Sequence, residues 1–396
     1  MNQTGLSSIL FILTFPPPAH GSSFMNQILW NSEIQKKFRC FLLDISDHRD
    51  LANVGQMDWQ NIFLAIKGAL GLIKILRQRK PHLIYLPISQ NFLAFCRDGL
   101  YIHLAHWLAP RSRRPKIVIH LNGSRFRHFY EKAPWWFQLF IRSALRKVDS
   151  AIVLSPSLKY IFSPWIKKIY AVPNGLDLIA SKSLEEKINS LKKERQAEAK
   201  IPVITYLSNL LVAKGILDFF EAIHLVKAQH PEVYFKIAGE IWSSKKQGKE
   251  KTFIVKKLAL ITSLPGVEYL GPVRGEEKIK LLEDTDIFVL PSYDEGQPLS
   301  LIEAMAAGCA IIATSVGAIP DTVKDGEEGL IIPPGNPQLL AAKINLLLSD
   351  ALLRKKLARQ ARLSYEKNYT KERFIAKMIG TLQTIIKNEA EETCAV

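Results

Sequence analysis

Two glutamates, Glu295 and Glu303, stand eight residues apart in the stretch DIFVLPSYDEGQPLSLIEAMAAG, residues 286–308. The first lies in a polar loop and the second inside an apolar, helix-forming run. The apolar residues Ile287 to Leu290 read as a buried strand leading into the loop. Pro298 reads as the first turn of the helix, where its missing N–H is not needed. Leu299 and Glu303 are then one turn apart, so the carboxylate projects on the face of the first free amides. Free N–H groups and the positive end of a helix dipole favour an anion such as a phosphate. Carboxylates beside it accept hydrogen bonds from hydroxyls. The combination suits a phosphorylated, hydroxyl-rich molecule, a description that a nucleotide sugar meets. Upstream, Lys214 precedes Gly215 at the entrance to a helical run, Ile216 to Gln229. A lysine there is repelled by the dipole unless an anion lies between them; the plainer reading is an exposed lysine before a glycine turn.

The elements that must position these residues alternate strand and helix. In the first half, Ile9–Thr14, Arg39–Ile45, HLIYLP, KIVIHL and AIVLS read as strands, with helices over Asn61–Arg79, Phe92–Leu108 and the run from Pro134. Continuous apolar runs mark strands buried on both faces of a parallel sheet. The loop FPPPAHGSSFMN makes the first strand-to-helix turn, with Gly21 allowing close backbone approach and Ser22 or Ser23 available as the cap. No GxGxxG follows, so a dinucleotide fingerprint is absent. His120 ends a strand and is followed by Asn122-Gly123-Ser124 and Arg125, the place where ligands of such sheets bind. It is equally readable as a buried histidine satisfied by backbone. A second sheet starts near Pro202. The expected division is 1–178, a charged connection over 179–200, a second domain over 201–370, and a C-terminal helix over 371–396 returning toward the first. Length alone supports two domains, and two parallel sheets facing each other would form a cleft between them.

The formal charge of +16 is uneven: residues 1–175 hold 23 Lys/Arg against 8 Asp/Glu, and residues 176–396 hold 30 against 29. A basic first half speaks for an anionic membrane surface or a phosphorylated acceptor as partner. Nucleic acid is disfavoured because no aromatic-basic recognition motif accompanies the charge. The helix PWWFQLFIRSALRKVD joins aromatic and basic residues in the manner of an interfacial membrane helix, although such aromatics are commonly core. The four cysteines are far apart, which speaks against a zinc site or disulfide framework and for a reducing, cytoplasmic setting. The run LSSILFILTF reads as a first buried strand rather than a signal peptide. No run approaches the roughly 20 apolar residues needed to cross a bilayer.

EGQPLSLIEAMAAGCAIIATSVGAIPD resembles the donor-binding signature of family 4 of the retaining nucleotide-sugar glycosyltransferases, whose fold is GT-B: two doubly wound, Rossmann-like α/β domains. The Glu-x7-Glu spacing is matched by Glu295 and Glu303, and the resemblance extends to VPNGLD (172–177), Lys214-Gly215, DGEEGLIIPPGN (325–336) and the proline-rich loop with Gly21. It implies that Glu295 sits by the donor sugar and Glu303 by the ribose hydroxyls. It places the donor along Gly296-Gln297-Pro298, with the Leu299 and Ser300 amides at the diphosphate. Lys214 would neutralise leaving-group charge, with Arg274 also on the donor side, and Gly21 would approach the diphosphate from the first domain. His120 would lie near the transferred sugar, with Asn122 and Arg125 on the acceptor side. The sequence departs from the family at Asn209, where an arginine is usual, and at Asn122, where the residue before the glycine is often histidine.

The implied activity is transfer of a hexosyl group from a nucleotide-diphosphate sugar to a saccharide or polyprenyl-phosphate-linked acceptor, with retention, in polysaccharide or glycolipid synthesis. No metal and no cofactor beyond the donor are implied, and the location is cytoplasmic or peripheral on the inner face of the membrane. Two alternatives remain: a nucleotide-sugar epimerase on the same fold, told apart by free epimer formed without acceptor, and an inactive nucleotide-sugar-binding module, told apart by binding without turnover.

Overall fold

The computed structural model describes residues 6–17, 20–49, 59–110, 114–177, 201–241 and 248–394, with side chains to residue 387. The expected connection over 179–200 lies outside the described residues. Two compact units form, dividing between Asn174 and Gly175; the helix Lys371–Cys394 belongs to the first unit, and the second ends at Thr370.

The first unit is built on a six-stranded parallel sheet. Its strands are β1 (Ser8–Leu13), β2 (Arg39–Asp44), β3 (Leu83–Pro87), β4 (Lys116–Leu121), β5 (Ser150–Val153) and β6 (Lys168–Ala171), in the order β2-β1-β3-β4-β5-β6. β1 is buried along its whole length because it lies inside the sheet, paired with β2 on one side and β3 on the other. The helix after it spans Gly21–Trp30. Its cap corrects the sequence expectation: neither Ser22 nor Ser23 is the cap. His20 is, with its Nδ1 accepting from the Ser23 N–H at 3.2 Å while Ser23 Oγ accepts from the His20 N–H at 3.1 Å. Burial pushes the His20 imidazole below its ordinary value, which keeps Nδ1 free to accept.

A second correction concerns the helix Trp59–Arg79. It is long and apolar enough, by length and composition, to cross a membrane. The expectation that no such run exists failed because Lys67 and Lys74 interrupt the apolar residues without outweighing them over a helical window.

The second unit repeats the plan with β7 (Val203–Leu207), β8 (Tyr234–Ala238), β9 (Val267–Gly271), β10 (Ile287–Leu290), β11 (Ala310–Thr314) and β12 (Leu330–Ile332), in the order β12-β11-β10-β7-β8-β9, all parallel. β7, β10 and β11 are fully buried. Their side chains join Ile216, Phe219 and Ile223 of the helix Ile216–Lys227 and Ile344 and Leu347 of the helix Pro337–Ser349 in one core. The loops leaving the carboxyl ends of β7, β10 and β11 converge, and the site is made there.

Candidate active site

β7 and β10 are hydrogen-bonded neighbours, so the loops following them lie side by side. Gly215 locks the two together: its φ is +70°, and a Cβ there would meet the Pro291 carbonyl oxygen at 1.9 Å. No residue but glycine fits both demands. Tyr293 N–H donates to the Ala213 carbonyl at 3.0 Å across the same seam. Lys214 is thereby held over the β10 loop, and its Nζ lies 2.7 Å from Glu295 Oε1 and 3.2 Å from the Asp294 carbonyl. Ser292 Oγ donates to the same Glu295 oxygen at 2.9 Å. Glu295 is buried, at 8% exposure, and its near oxygen is fixed by one cation and one hydroxyl.

The β11 loop supports this loop from the other side. Thr314 Oγ1 donates to the Ser292 carbonyl at 2.5 Å. Gly317, at φ +57°, would place a Cβ 1.8 Å from the Glu295 carbonyl oxygen, and the next residue, Ala318, donates its N–H to the Gly296 carbonyl at 2.8 Å. Gln297 Nε2 donates to Thr322 Oγ1 at 3.0 Å. Gln297 therefore acts as a buried tie of the loop.

The helix begins at Leu299, with Pro298 as an extended N-cap rather than the first helical residue, and no side chain caps it. The amides of Leu299 and Ser300 belong to the first turn, which has no intrahelical partners. Glu303, one turn on, is 7% exposed and lies against Lys278 of the helix Gly275–Glu283, Nζ to Oε1 2.5 Å. Burial pushes the Glu303 carboxyl above its ordinary range, and the Lys278 ammonium works against that shift. Arg274 is the exposed N-cap residue of the same helix as Lys278. Asn209 is exposed after β7, its carbonyl accepting from Tyr206 OH at 3.1 Å.

The structure thus brings together Lys214, Glu295, Gly296, Gln297, Pro298, Leu299, Ser300 and Glu303 on adjoining loops and one helix of the second unit. Gly21, His120, Asn122 and Arg125 belong to the first. Gly21 opens its helix, and Arg125 is the exposed N-cap residue of the helix Phe126–Lys132. His120 is 2% exposed at the carboxyl end of β4, with its Nδ1 2.5 Å from Tyr85 OH. Burial pulls its imidazole down to about 3, so it is neutral at physiological pH. Among the described residues its Nε2 is buried without a hydrogen-bond partner, as are Asn122 Oδ1 and Gln90 Oε1. Gln90 follows β3 and crowds Gly123, where a Cβ would meet Gln90 Nε2 at 1.9 Å. Gln90, His120 and Asn122 thus stand at the carboxyl ends of the neighbouring strands β3 and β4, each with a polar atom that a hydroxyl group could satisfy.

Sequence reading missed Lys278, Ser292, Tyr85 and Gln90. None has a local signal: Lys278 sits in an ordinary charged helix, 25 residues from its partner. Among the described residues, no group of three or more His, Cys, Asp or Glu is placed to hold a metal ion.

Residues 187–364 match the family model described as glycosyl transferases group 1. The N,N'-diacetylbacillosaminyl-diphospho-undecaprenol alpha-1,3-N-acetylgalactosaminyltransferase of Campylobacter jejuni is 31% identical over 179 residues, covering 44% of this chain and 44% of that protein. The capsular polysaccharide biosynthesis glycosyltransferase CapM of Staphylococcus aureus is 23% identical over 340 residues, 82% of this chain and 83% of that one. The crystal structure of Anabaena Alr3699/HepE in complex with UDP-glucose covers 95% of this chain and 99% of that one, with a TM-score of 0.67 and 18% identity. The chain spans about half the length, or less, of the first curated relatives it matches. Two parallel six-stranded sheets, each clothed in helices, are the α/β architecture of the GT-B fold.

Proposed function

We propose that the chain is a retaining glycosyltransferase of family 4. It moves a hexosyl group from a nucleotide-diphosphate sugar to a saccharide or polyprenyl-phosphate-linked acceptor in the synthesis of a cell-surface polysaccharide or glycolipid. The observation that carries this reading is the Lys214–Glu295 pair on the loop that enters an uncapped helix N-terminus, with Glu303 on the first turns of that helix. The match of residues 187–364 to group 1 glycosyl transferases supports it. The activities of the Campylobacter and Staphylococcus relatives support the class of donor and acceptor.

Breaking the bond between sugar and diphosphate develops negative charge on the diphosphate and positive charge on the sugar. The Leu299 and Ser300 amides and the helix dipole meet the former and are in position before substrate arrives, and Lys214 brings cationic charge to the same region. Glu295 accepts from hydroxyls of the donor sugar, and Glu303 from the ribose. Gln90, His120 and Asn122 take hydroxyls on the acceptor side. The reaction needs no metal and no further cofactor, and it takes place at the cytoplasmic face of a membrane.

The test is a panel of nucleotide sugars screened by thermal shift, followed by product analysis of the stabilising donor with lipid-linked and saccharide acceptors. A ligand at a hundred times its Kd adds about 2.7 kcal/mol of stability. Proton NMR of the first-formed product reads the anomeric configuration. An inverted product refutes retention, free epimer without acceptor refutes transfer, and absence of binding by every donor refutes the site.

A further inference from the structure

The helix Trp59–Arg79 has two apolar faces, and among the described residues only one of them is used by the fold. Gly68, Leu72 and Leu76 are buried. Tyr101 OH donates to the Ala65 carbonyl at 3.1 Å, and a Cβ on Gly68 would meet the Tyr101 hydroxyl at 2.0 Å. The helix is therefore seated on the first unit along its inner side. On the opposite side Trp59, Phe63, Ile66 and Leu70 recur at spacings of four, three and four residues, which is one stripe of a helix. They are 87%, 63%, 54% and 63% exposed. Lys67 and Lys74 flank the stripe and Arg77 ends it, and the helix holds no Asp or Glu.

Neighbouring helices extend the same character. The chain advances in one direction along the sheet from β2 to β3, β4 and β5. Right-handed crossovers then put the helices Trp59–Arg79, Phe92–Leu108 and Trp135–Leu145 on one face. The middle helix packs against both of the others. It exposes Leu100 and Trp107, and the third exposes Trp135, Trp136 and Leu139. Lys147 Nζ lies 5.7 Å from the Trp107 ring. The carboxylate these three helices carry, Asp98, is fully buried against Arg97. The outer layer thus pairs exposed tryptophans and aliphatic residues with Lys67, Lys74 and Arg77, which have no carboxylate partner among the described residues.

We infer that this outer helical layer is a docking surface for an anionic lipid bilayer, with Trp59, Phe63, Ile66 and Leu70 entering the interfacial region and Lys67, Lys74 and Arg77 meeting lipid headgroups. The charge selects this occupant: a second copy of the same face would bring like charges together, whereas an anionic headgroup layer neutralises them. The helix lies along the bilayer rather than across it, because its inner face is already packed on the protein. The inference deepens the proposed acceptor class, which is lipid-linked, but its test requires neither donor nor acceptor.

The full chain is sedimented with phosphatidylglycerol-containing vesicles and with phosphatidylcholine vesicles, at about 0.1 M and about 1 M salt, where the Debye length falls from ~10 to ~3 Å. The expected result is binding to the anionic vesicles with a blue shift of tryptophan fluorescence, weakened at high salt. The variant Lys67→Gln/Lys74→Gln/Arg77→Gln should partition about a hundredfold less, from the contribution of three basic residues at an anionic surface. The variant Trp59→Ser/Phe63→Ser/Leu70→Ser should lose the blue shift while keeping the wild-type circular dichroism and melting temperature. Unchanged binding in both variants overturns the inference, as does equal binding to neutral vesicles. A concentration-dependent dimer that the serine variant abolishes, without vesicle binding, makes the face a self-interface instead. Vesicle binding without transferase activity leaves this inference standing and removes the catalytic reading; activity without vesicle binding does the reverse.

Discussion

Replacing Lys278 by Met should destabilise the second unit in a way that grows with pH. Glu303 is buried, and Lys278 lies against it as a cation whose side chain retains 29% exposure. Removing one partner of a fully buried pair costs about 3–5 kcal/mol. Partial exposure of the lysine reduces this to roughly 1–3 kcal/mol by solvent screening. The sign follows from the direction of the Glu303 shift. Burial raises the folded-state value above the ordinary 4.5, so the charged form is disfavoured by folding. The associated stability is fully present below pH 4.5 and is lost as pH rises through the folded value. Taking away Lys278 removes the opposing influence and pushes that value higher. Near pH 4 the glutamate is largely protonated, and variant and wild type should differ little. The penalty should grow as pH rises from there. For a unit of about 200 residues, 1 kcal/mol moves Tm by about 2–4 °C, so ~1–3 kcal/mol corresponds to a loss of roughly 2–12 °C. Thermal melts of both proteins across that range measure it. A difference that is constant with pH, or larger in acid, refutes the argument.

Glu295→Ala and Lys214→Ala should each lower turnover by at least about a hundredfold, the scale of losing one preorganised electrostatic contact, without unfolding the protein; near wild-type rates with a verified donor would remove the assigned role. Gly317→Ala should destabilise by ~2 kcal/mol or more, since a left-handed alanine costs about 1–2 kcal/mol and its Cβ also collides with the Glu295 carbonyl oxygen. Its activity per folded molecule, measured after correction by circular dichroism, should fall with it. The His120 imidazole should stay neutral down to about pH 3, so NMR titration should find no His120 transition between pH 8 and 5. Because its folded value is depressed, its contribution to stability should be present above pH 6.5 and decline as pH falls toward about 3, a slope that His120→Asn should flatten.

Much of the fold was legible because both sheets are parallel and clothed on both faces. Strands such as Ile9–Leu13, Ile287–Leu290 and Ala310–Ala313 are apolar without interruption. The loop Glu295–Ser300 was legible for the same reason: a polar segment wedged between a buried strand and an apolar helix has few places to go. What escaped depends on contacts between distant segments. Lys278 meets Glu303 only because the helix Gly275–Glu283 packs beside the helix Leu299–Ala307. His20 replaced the expected serine caps because its buried, neutral ring offers an acceptor, a state that sequence does not announce. The outward stripe on Trp59–Arg79 was hidden by the opposite error. A helical period reveals that an apolar face exists, and a second apolar face passes for more of the same core.

Glu295 and Glu303 are alike in one respect that the motif spacing does not convey. Each is buried, and each is held by a lysine from a different element: Lys214 from the turn after β7, Lys278 from the helix after β9. Burial raises the Glu303 carboxyl above its ordinary range, and the Lys278 ammonium works against that shift. The lysines hold the two carboxylates beside the helix N-terminus while bringing cationic charge to the same region. Under the proposed reaction that pairing serves both halves of the donor. The carboxylates take hydroxyls of sugar and ribose, and Lys214 needs only to shift its hydrogen bonds from Glu295 to a diphosphate oxygen as the bond to the sugar breaks. The Glu-x7-Glu spacing therefore fixes where the two carboxylates stand, and the two lysines fix how each is held.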